Sequence, residues 1–291
     1  MPRAPANGIE LEWEEFGEPD APPLLLIMGL GAQMIAWDEE FCRLLAARGF
    51  RVIRFDNRDA GLSTRIEGRR PNLLAALTGD FSSAAYRLDD MADDAAGLLD
   101  ALGIEAADVV GASMGGMIAQ TLAIRHPHKV KTLTSIMSTT GAPDVGQPSP
   151  DAITLLVTRP PADRERAIEY GVLISRVLSS PGFPFDEERA RERATRSYDR
   201  GFYPISVGRQ LLAVLASGDR TPALRSRRVP TLVIHGDGDP LVTKSGGEAT
   251  AAAVPGARLL MIPGMGHDLP RSLWETIVAA ISEHIATREL V

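Results

Sequence analysis

The chain has 291 residues, of which 44% are hydrophobic and 24% charged, and its formal net charge is −7. This composition excludes disorder as the main state, and the excess of acidic residues argues against a nucleic-acid partner, which requires a basic surface. The single cysteine, Cys42, excludes internal disulfide bonds and cysteine-based metal clusters. The N-terminus has no apolar signal stretch, and the apolar run over residues 24–34 is far shorter than the ~20 residues of a membrane span. We therefore expect a cytoplasmic protein with no membrane partner.

Short, almost continuously apolar segments bounded by Gly, Pro or Asp predict strands that are buried on both faces of a parallel sheet. These segments are residues 24–28, 51–55, 107–111, 131–137, 231–235 and 258–262. Residues 9–16 alternate between apolar and polar side chains, which predicts an edge strand in a hairpin. Apolar residues at three- and four-residue spacing predict helices over residues 37–47, 91–102, 114–126 and 273–287. Because strands and helices alternate, the predicted class is α/β with a mostly parallel sheet flanked by helices.

Residues 138–230 interrupt this alternation, because they contain no convincing strand. They carry helical patterns, separated by Pro-rich breaks, over residues 151–158, 162–179, 186–198 and 205–217. A helical block between two buried strands predicts a cap, so we expect a core of residues 1–137 and 231–291 and a helical cap of residues 138–230. The aromatic residues of this cap either pack it against the core or face a ligand. They include Tyr170, Phe183, Phe185, Tyr198, Phe202 and Tyr203.

The strongest local motif is Gly111-Ala112-Ser113-Met114-Gly115, which contains Gly-x-Ser-x-Gly between a predicted strand and a predicted helix. A serine hydroxyl becomes an effective nucleophile only when it is exposed beside a base, and a sharp strand-to-helix turn exposes it. The alternatives are a serine that merely caps a helix and a dinucleotide-binding turn. The second requires Gly-x-Gly-x-x-Gly, which residues 111–116 do not match.

A histidine after the serine and after an acid is the expected base. His267 follows the last predicted strand in a loop with two glycines, where an active-site histidine can be presented. His126 and His128 lie at the end of a predicted helix, His284 lies within one, and His235 ends a buried strand. These four positions favour structural roles, so His267 is the predicted base.

The acid that orients this histidine is expected in the loop after the strand over residues 231–235. This loop contains two carboxylates, Asp237 and Asp239. One of them must accept the Nδ1 proton of the histidine, and the other can cap the turn. Strand, loop and spacing leave open which of the two has which role.

An oxyanion hole requires backbone N–H groups aimed at the developing negative charge. The segment Met28-Gly29-Leu30-Gly31 follows the strand over residues 24–28, and its glycines allow an N–H to point towards such a charge. The alternative interpretation is an ordinary glycine turn.

Together these motifs resemble the α/β-hydrolase superfamily in order and spacing, over roughly residues 8–288. Within it the chain is most similar to bacterial carboxylesterases of the aclacinomycin methylesterase type. The motifs that carry the resemblance are Met28-Gly29-Leu30-Gly31, Asp56-x-Arg58-x-x-Gly61-x-Ser63, Gly111-x-Ser113-x-Gly115, His235-Gly-x-x-Asp239-Pro-Leu-Val and Gly264-Met-Gly-His267.

The resemblance implies that Ser113 is the nucleophile, His267 its base and Asp239 the orienting acid, with the N–H groups of Leu30 and Met114 forming the oxyanion hole. It further implies an α/β-hydrolase fold with the helical cap inserted before the strand that bears the acid. Many members have His-Gly where this chain has Met28-Gly29, so one hydrogen bond that braces this loop is expected to be absent. The segment over residues 56–63 is a structural loop in the family.

The implied activity is that of a serine carboxylesterase acting through an acyl-enzyme on small to medium uncharged esters, methyl esters included. A small-molecule ester is then the partner, no cofactor or metal is expected, and the protein is expected to be a monomer or homodimer. The same triad also serves lactonases, thioesterases, carbon–carbon bond hydrolases and cofactor-free perhydrolases. A non-catalytic protein that binds a small ligand is the alternative of another class, against which the intact Ser113, Asp239 and His267 argue.

Overall fold

The computed structural model describes residues 2–68 and 70–287, apart from the side chains of residues 156 and 157. Within them the strands form one sheet in the order β1-β2-β4-β3-β5-β6-β7-β8. The strands are β1 (Arg3–Ala6), β2 (Ile9–Phe16), β3 (Pro23–Ile27), β4 (Arg51–Phe55), β5 (Ala107–Ala112), β6 (Val130–Ile136), β7 (Thr231–Gly236) and β8 (Arg258–Ile262). β2 is antiparallel to β1 and β4, and the remaining neighbours are parallel. The predicted fold class is confirmed.

Helices cover both faces of the sheet and fill the segment between β6 and β7. They are α1 (Glu39–Ala46), α2 (Leu73–Ala76), α3 (Leu88–Ala101), α4 (Met114–Arg125), α5 (Pro150–Val157), α6 (Arg164–Leu178), α7 (Glu187–Gly201), α8 (Ile205–Ser217), α9 (Thr221–Arg225), α10 (Ser245–Ala253) and α11 (Trp274–Thr287), with short 3₁₀ turns at Met34–Ala36, Pro127–Lys129 and Arg271–Leu273. None of the helices in residues 2–68 and 70–287 combines the length and hydropathy that crossing a bilayer requires.

The parallel strands agree with their predicted positions to within one residue, and the helix ends differ for identifiable reasons. α1 begins two residues later than predicted because the Asp38 carboxylate caps it by accepting the Glu40 N–H at 2.9 Å. α3 begins three residues earlier, where the Asp90 carboxylate accepts the N–H of Arg87 at 2.8 Å. The short helices α2, α9 and α10 were not predicted, because they have too few large apolar residues to establish a helical period.

The expectation that residues 9–16 form an edge strand is wrong. β1 pairs along the outer side of β2, with Ala6 opposite Ile9, and the strands are joined by the two-residue turn Asn7-Gly8. Both turn residues have positive φ angles, 48° and 78°, as a type I′ hairpin requires. Asn-Gly is the typical sequence of this turn, so a signal for the additional strand was present.

Neighbouring side chains of β3 point to opposite faces of the sheet and enter two different hydrophobic clusters. Leu25 and Ile27 pack in the cluster that contains Leu98 of α3 and Ile118 of α4. Leu24 and Leu26 pack in the cluster that contains Phe41 of α1 and Ile277 of α11. The continuous apolar run of β3 is therefore explained by burial on both faces.

The segment over residues 138–230 contains α5–α9 and, in its described part, no strand. Ala213 of α8 belongs to the same cluster as Leu88 and Met91 of α3, so α8 packs close to the sheet. Leu224 of α9 packs against Val254 at the end of α10. The division into a core of residues 1–137 and 231–291 and a cap of residues 138–230 stays a prediction.

Because the strands β3, β5, β7 and β8 run parallel, the loops that follow them leave from one edge of the sheet. These four loops contain the glycine-rich segment after β3, Ser113, the two carboxylates after β7, and His267. In open α/β sheets, ligands bind at this carboxyl edge. The topology thus brings together residues that are far apart in sequence.

Candidate active site

Ser113 lies between β5 and α4 with a φ of 56° and a ψ of −123°. A positive φ is rare for a residue other than glycine and indicates that the surroundings impose it. A Cβ atom at Gly111 would lie 2.1 Å from the carbonyl oxygen of Gly115, and a Cβ atom at Gly115 would lie 2.0 Å from that of Ile27. Glycine is therefore required on both sides of Ser113, because α4 packs directly against β5 and β3.

Three side chains from the loops after β5, β7 and β8 form a continuous chain of hydrogen bonds. His267 Nε2 lies 2.9 Å from Ser113 Oγ, and His267 Nδ1 lies 2.8 Å from Asp239 Oδ2. Because a carboxylate can only accept, Nδ1 carries the proton, and Nε2 is free to accept the proton of the Ser113 hydroxyl. The Asp239 side chain is fully buried and that of His267 is 6% exposed. The arrangement has the geometry of a nucleophile, a base and an orienting acid.

The two carboxylates after β7 have different partners. Besides His267, Asp239 accepts the N–H groups of Leu241 and Val242 through Oδ1, at 2.8 and 2.9 Å. Asp237 Oδ1 instead accepts the N–H of Gly264 at 2.6 Å and does not contact the histidine ring. The sequence left open which carboxylate has which role. In the structure Asp239 contacts His267, and Asp237 holds the loop that precedes His267.

The loop of His267 is also attached to the end of α6 and the residues after it. The backbone N–H of His267 donates to the carbonyl of Leu178 at 2.8 Å, and that of Gly266 donates to Ser180 Oγ at 2.8 Å. The Ser180 hydroxyl donates in turn to the carboxylate of Asp268, whose pKa is raised by burial. Part of the predicted cap therefore determines where the histidine lies.

Leu30 and Met114 line the same cavity as Ser113. A Cβ atom at Gly29 would lie only 3.0 Å from Ser113 Cβ, so the segment after β3 lies against the serine. Within the part of the chain that the structure describes, neither the N–H of Leu30 nor that of Met114 donates a hydrogen bond. Two unpaired donors beside a serine oxygen can bind an oxyanion.

Two side chains that the sequence analysis did not single out bind this segment. Asn57 Nδ2 donates to the carbonyl of Met28 at 2.8 Å, and Gln210 Oε1 accepts the N–H of Gly31 at 2.7 Å. The loop that lacks the family's histidine brace therefore has others. No local pattern could reveal Gln210, which is 179 residues from Gly31 in sequence.

Below the triad lies a second buried histidine, His235. Its Nε2 is 2.8 Å from the carbonyl of Val242 and 3.7 Å from Asp239 Oδ2. Its Nδ1 is buried with no hydrogen-bond partner in the described structure, and burial lowers the pKa of the ring below its ordinary value of 6.5. His235 therefore stays neutral at physiological pH and holds the Asp239 loop through Val242.

The remaining histidines lie outside the site and make other contacts. His126 Nε2 lies 2.7 Å from Asp93 Oδ1 near the surface, with the ring of His128 beside it, and His284 Nε2 lies 3.2 Å from the carbonyl of Pro230.

Residues 2–68 and 70–287 contain no second reactive centre of the thiolate or metal-binding kind. Cys42 is buried, and burial raises the pKa of its thiol to about 12, so the thiol is protonated at neutral pH. No group of three or more His, Cys, Asp or Glu side chains in these residues is arranged to hold a metal ion.

Ser113 and His267 open into a cavity of about 1590 Å³, which is also lined by residues of α5, α6, α7 and α8. This volume exceeds the ~300–1,000 Å³ typical of small-molecule sites. Met28, Met114 and Met117 line the cavity, whereas Met34 and Met265 are fully buried in the protein interior.

The chain belongs to the family of proteins with the α/β-hydrolase fold, whose sequence profile matches residues 22–270. The resemblance noted in its sequence is thereby confirmed. Two rhodomycin D methylesterases, from Streptomyces sp. (strain C5) and Streptomyces peucetius, are each 32% identical to it, and each match covers 94% of both chains. Among solved structures, the meta-cleavage product hydrolase of Pseudomonas fluorescens IP01 has a TM-score of 0.77 at 22% identity, covering 99% of this chain and 98% of that one. The last comparison establishes the fold alone.

The different partners of Asp239 and Asp237 predict different kinetic effects. Asp239→Asn should lower kcat by about 10⁴-fold, because the amide favours the wrong tautomer of His267. Asp237→Asn should have a much smaller effect, since an amide oxygen can still accept the Gly264 N–H. Steady-state kinetics of the two purified variants measure the difference, and a larger loss for Asp237→Asn would contradict the assignment.

The lowered pKa of His235 predicts a pH dependence of stability. Between the two pKa values the unfolded chain binds a proton that the folded chain does not, so the free energy of unfolding falls as the pH is lowered through 6.5. His235→Gln can still donate to Val242 but does not titrate in this range. Between pH 7.5 and 5.5 the free energy of unfolding of the wild type should therefore fall further than that of the variant, by at most about 1.4 kcal/mol.

Urea unfolding of both proteins at the two pH values measures this difference. His284, whose pKa burial also lowers, contributes equally to both proteins and cancels. If the two proteins lose the same free energy of unfolding, His235 is protonated in the folded state and the prediction fails.

Proposed function

We propose that this protein is a carboxylic ester hydrolase that acts through a Ser113–His267–Asp239 triad and an acyl-enzyme. The observation that carries the proposal is the hydrogen-bonded chain from Asp239 through His267 to Ser113 beside the unpaired N–H groups of Leu30 and Met114. The similarity over nearly the whole chain to two methylesterases supports an ester as the substrate.

The mechanism follows from the positions of these groups. His267 Nε2 accepts the Ser113 proton as Oγ attacks the ester carbonyl, and Asp239 stabilises the imidazolium that forms. The N–H groups of Leu30 and Met114 donate to the oxyanion of the tetrahedral intermediate. The imidazolium then protonates the departing alcohol. A water molecule, deprotonated by the same histidine, attacks the acyl-enzyme and releases the acid.

The cavity supports an uncharged ester as the substrate, with a methyl group as one candidate for its alcohol part. Met28, Met114 and Met117 line the cavity and favour an uncharged substrate, while its charged side chains are of both signs, Arg193 and Asp268 among them. The volume of about 1590 Å³ leaves room for an acid part larger than the small to medium size inferred from sequence. The similarity to the two rhodomycin D methylesterases likewise supports a methyl ester.

Ser113→Ala tests the nucleophile. It should lower kcat for p-nitrophenyl acetate and for methyl esters of aromatic acids by about 10⁴- to 10⁶-fold, because only binding and the oxyanion hole then remain. It should also abolish labelling by a fluorophosphonate probe. Ser282→Ala, in α11, is the matched control and should retain both activities, because its hydroxyl only donates to the carbonyl of Val278.

Retention of more than a few per cent of wild-type turnover by Ser113→Ala would contradict its role as nucleophile. Lactones and acyl thioesters in the same panel test the alternative reactions of the triad. A wild-type protein that neither hydrolyses these substrates nor reacts with the probe would favour a non-catalytic ligand-binding protein.

Two neighbouring phenylalanines provide a test of the cavity as the substrate site. Phe185 lines it, and the Arg176 guanidinium lies 4.8 Å from the centre of its ring. Phe183 instead packs against the hydrophobic cluster of α1 and α11. Phe185→Ala should therefore change kcat/KM for bulky esters several-fold more than for acetates, whereas Phe183→Ala should affect all esters alike. Equal effects of Phe185→Ala on short and bulky esters would assign it to packing.

A further inference from the structure

We propose that Gln210, on α8, is a positioning residue for catalysis that holds the Leu30 N–H in place beside Ser113. The inference rests on the proposed function, because it concerns the oxyanion hole of the same site. The Gln210 side chain does not contact the substrate position, and it links the predicted cap to the catalytic loop, Met28-Gly29-Leu30-Gly31.

Both halves of the Gln210 amide are engaged. The side chain is fully buried, its Oε1 accepts the N–H of Gly31 at 2.7 Å, and its Nε2 donates to the carbonyl of Arg58 at 3.0 Å. A donor on one side and an acceptor on the other determine the orientation of the amide, because the reversed orientation would satisfy neither partner. Gln210 is therefore a specific connection between Gly31 and Arg58.

The Arg58 end of this connection is rigid. The Arg58 guanidinium binds the Asp94 carboxylate through two hydrogen bonds of 2.6 Å, and both side chains are nearly buried. Such a bidentate pair has little freedom to reorient. Gln210 thus connects Gly31 to the loop of Arg58, whose position is fixed.

The Gly31 end is the part of the catalytic loop that has most freedom of its own. Gly31 is exposed and has a φ of 70°. Glycine adopts many other backbone conformations as readily, so its own preference does not hold it in this one. The Gly31 N–H belongs to the peptide unit directly after Leu30. Without an acceptor for it, this peptide unit could rotate and carry the Leu30 backbone with it.

The two preceding peptide units are held by hydrogen bonds of their own. The peptide unit between Leu30 and Gly31 is held by the bond from the Gly31 N–H to Gln210. The Met28 carbonyl accepts from Asn57 at 2.8 Å, and the Gly29 carbonyl accepts the N–H of Ala32 at 3.3 Å. In a trans peptide the N–H points opposite to the carbonyl, so the bond to Gly29 directs the Leu30 N–H away from Ala32. Anchors before and after Leu30 together hold its N–H in a single direction, as a preorganised oxyanion donor requires.

Gln210→Met is the decisive variant, because it keeps the length of the side chain and removes both hydrogen bonds. We expect kcat for p-nitrophenyl acetate to fall about tenfold, less than the 10²- to 10³-fold typical of deleting an oxyanion donor, with KM within about twofold of wild type. The Ki of a trifluoromethyl ketone, which forms an oxyanion on the serine, should rise by the same factor as kcat falls.

Ser217→Ala is the matched control on the same helix. Its hydroxyl accepts the N–H of Leu88 at 2.9 Å, so it joins α8 to α3 without contacting the catalytic loop. It should lower the melting temperature and leave kcat and the Ki unchanged. Gln210→Glu should recover most of kcat, because a buried glutamic acid is favoured in its protonated form, which can accept from Gly31 and donate to Arg58.

The rate of labelling by a fluorophosphonate probe separates this inference from the proposed function. One outcome is that the wild type hydrolyses no ester but is labelled, and that Gln210→Met is labelled about tenfold more slowly. The proposal of ester hydrolysis would then be wrong, and the proposed role of Gln210 would be supported. If Gln210→Met has wild-type kcat and labelling, or if Ser217→Ala loses as much, the role of Gln210 is overturned and ester hydrolysis stands. A wild type that is neither labelled nor active overturns both.

Discussion

The close approach of three backbone segments at Ser113 is the constraint on which the site depends. α4 begins so near to β5 and β3 that only hydrogen fits on the Cα atoms of Gly111 and Gly115. Within this contact Ser113 has a φ of 56°, a conformation that costs on the order of 1–3 kcal/mol. The surrounding hydrogen bonds hold it there: its N–H donates to Ile136 at 2.9 Å, and its carbonyl accepts from the Ser138 hydroxyl at 2.8 Å. The exposed position of the hydroxyl is therefore a result of packing, and not of the serine itself.

Burial determines the electrostatics of the other two members of the triad. A fully buried carboxylate is stable only when its oxygens are hydrogen-bonded, and Asp239 has backbone N–H donors on one oxygen and His267 on the other. Beneath it, desolvation keeps His235 neutral, so that it holds the loop without adding a second positive charge beside Asp239. In the proposed mechanism, the same low-polarity environment would strengthen the interaction between Asp239 and an imidazolium on His267.

The helices between β6 and β7 do more than enclose the cavity. The Leu178 carbonyl and the Ser180 hydroxyl hold the backbone of the histidine loop, while Gln210 holds the loop that follows β3. A third connection comes from Arg200 of α7, which contacts the buried carboxylate of Asp56 at 2.5 Å. His267 and the loop of Leu30 are therefore attached to the part of the chain that lines the cavity, so a shift of these helices would change the geometry of the proposed site.

The sequence by itself determined the class of the fold and the parallel strands, and it singled out Ser113 and His267 as candidates, because apolar periodicity and glycine-bounded turns act over a few neighbouring residues. It could not separate Asp237 from Asp239 by local pattern, since both carboxylates follow the same strand and only the resemblance to the family favoured one of them. It also placed the edge of the sheet wrongly at β2 and gave no indication of Gln210. The error at the edge was avoidable, because the Asn7-Gly8 turn that adds β1 is a local signal. Only the tertiary structure separated the two carboxylates and revealed Gln210, because the partners that decide these points, Gly264 for Asp237, His267 for Asp239 and Gly31 for Gln210, lie between 27 and 179 residues away along the chain. Such contacts depend on how strands and loops pack in space, which a local sequence pattern does not encode.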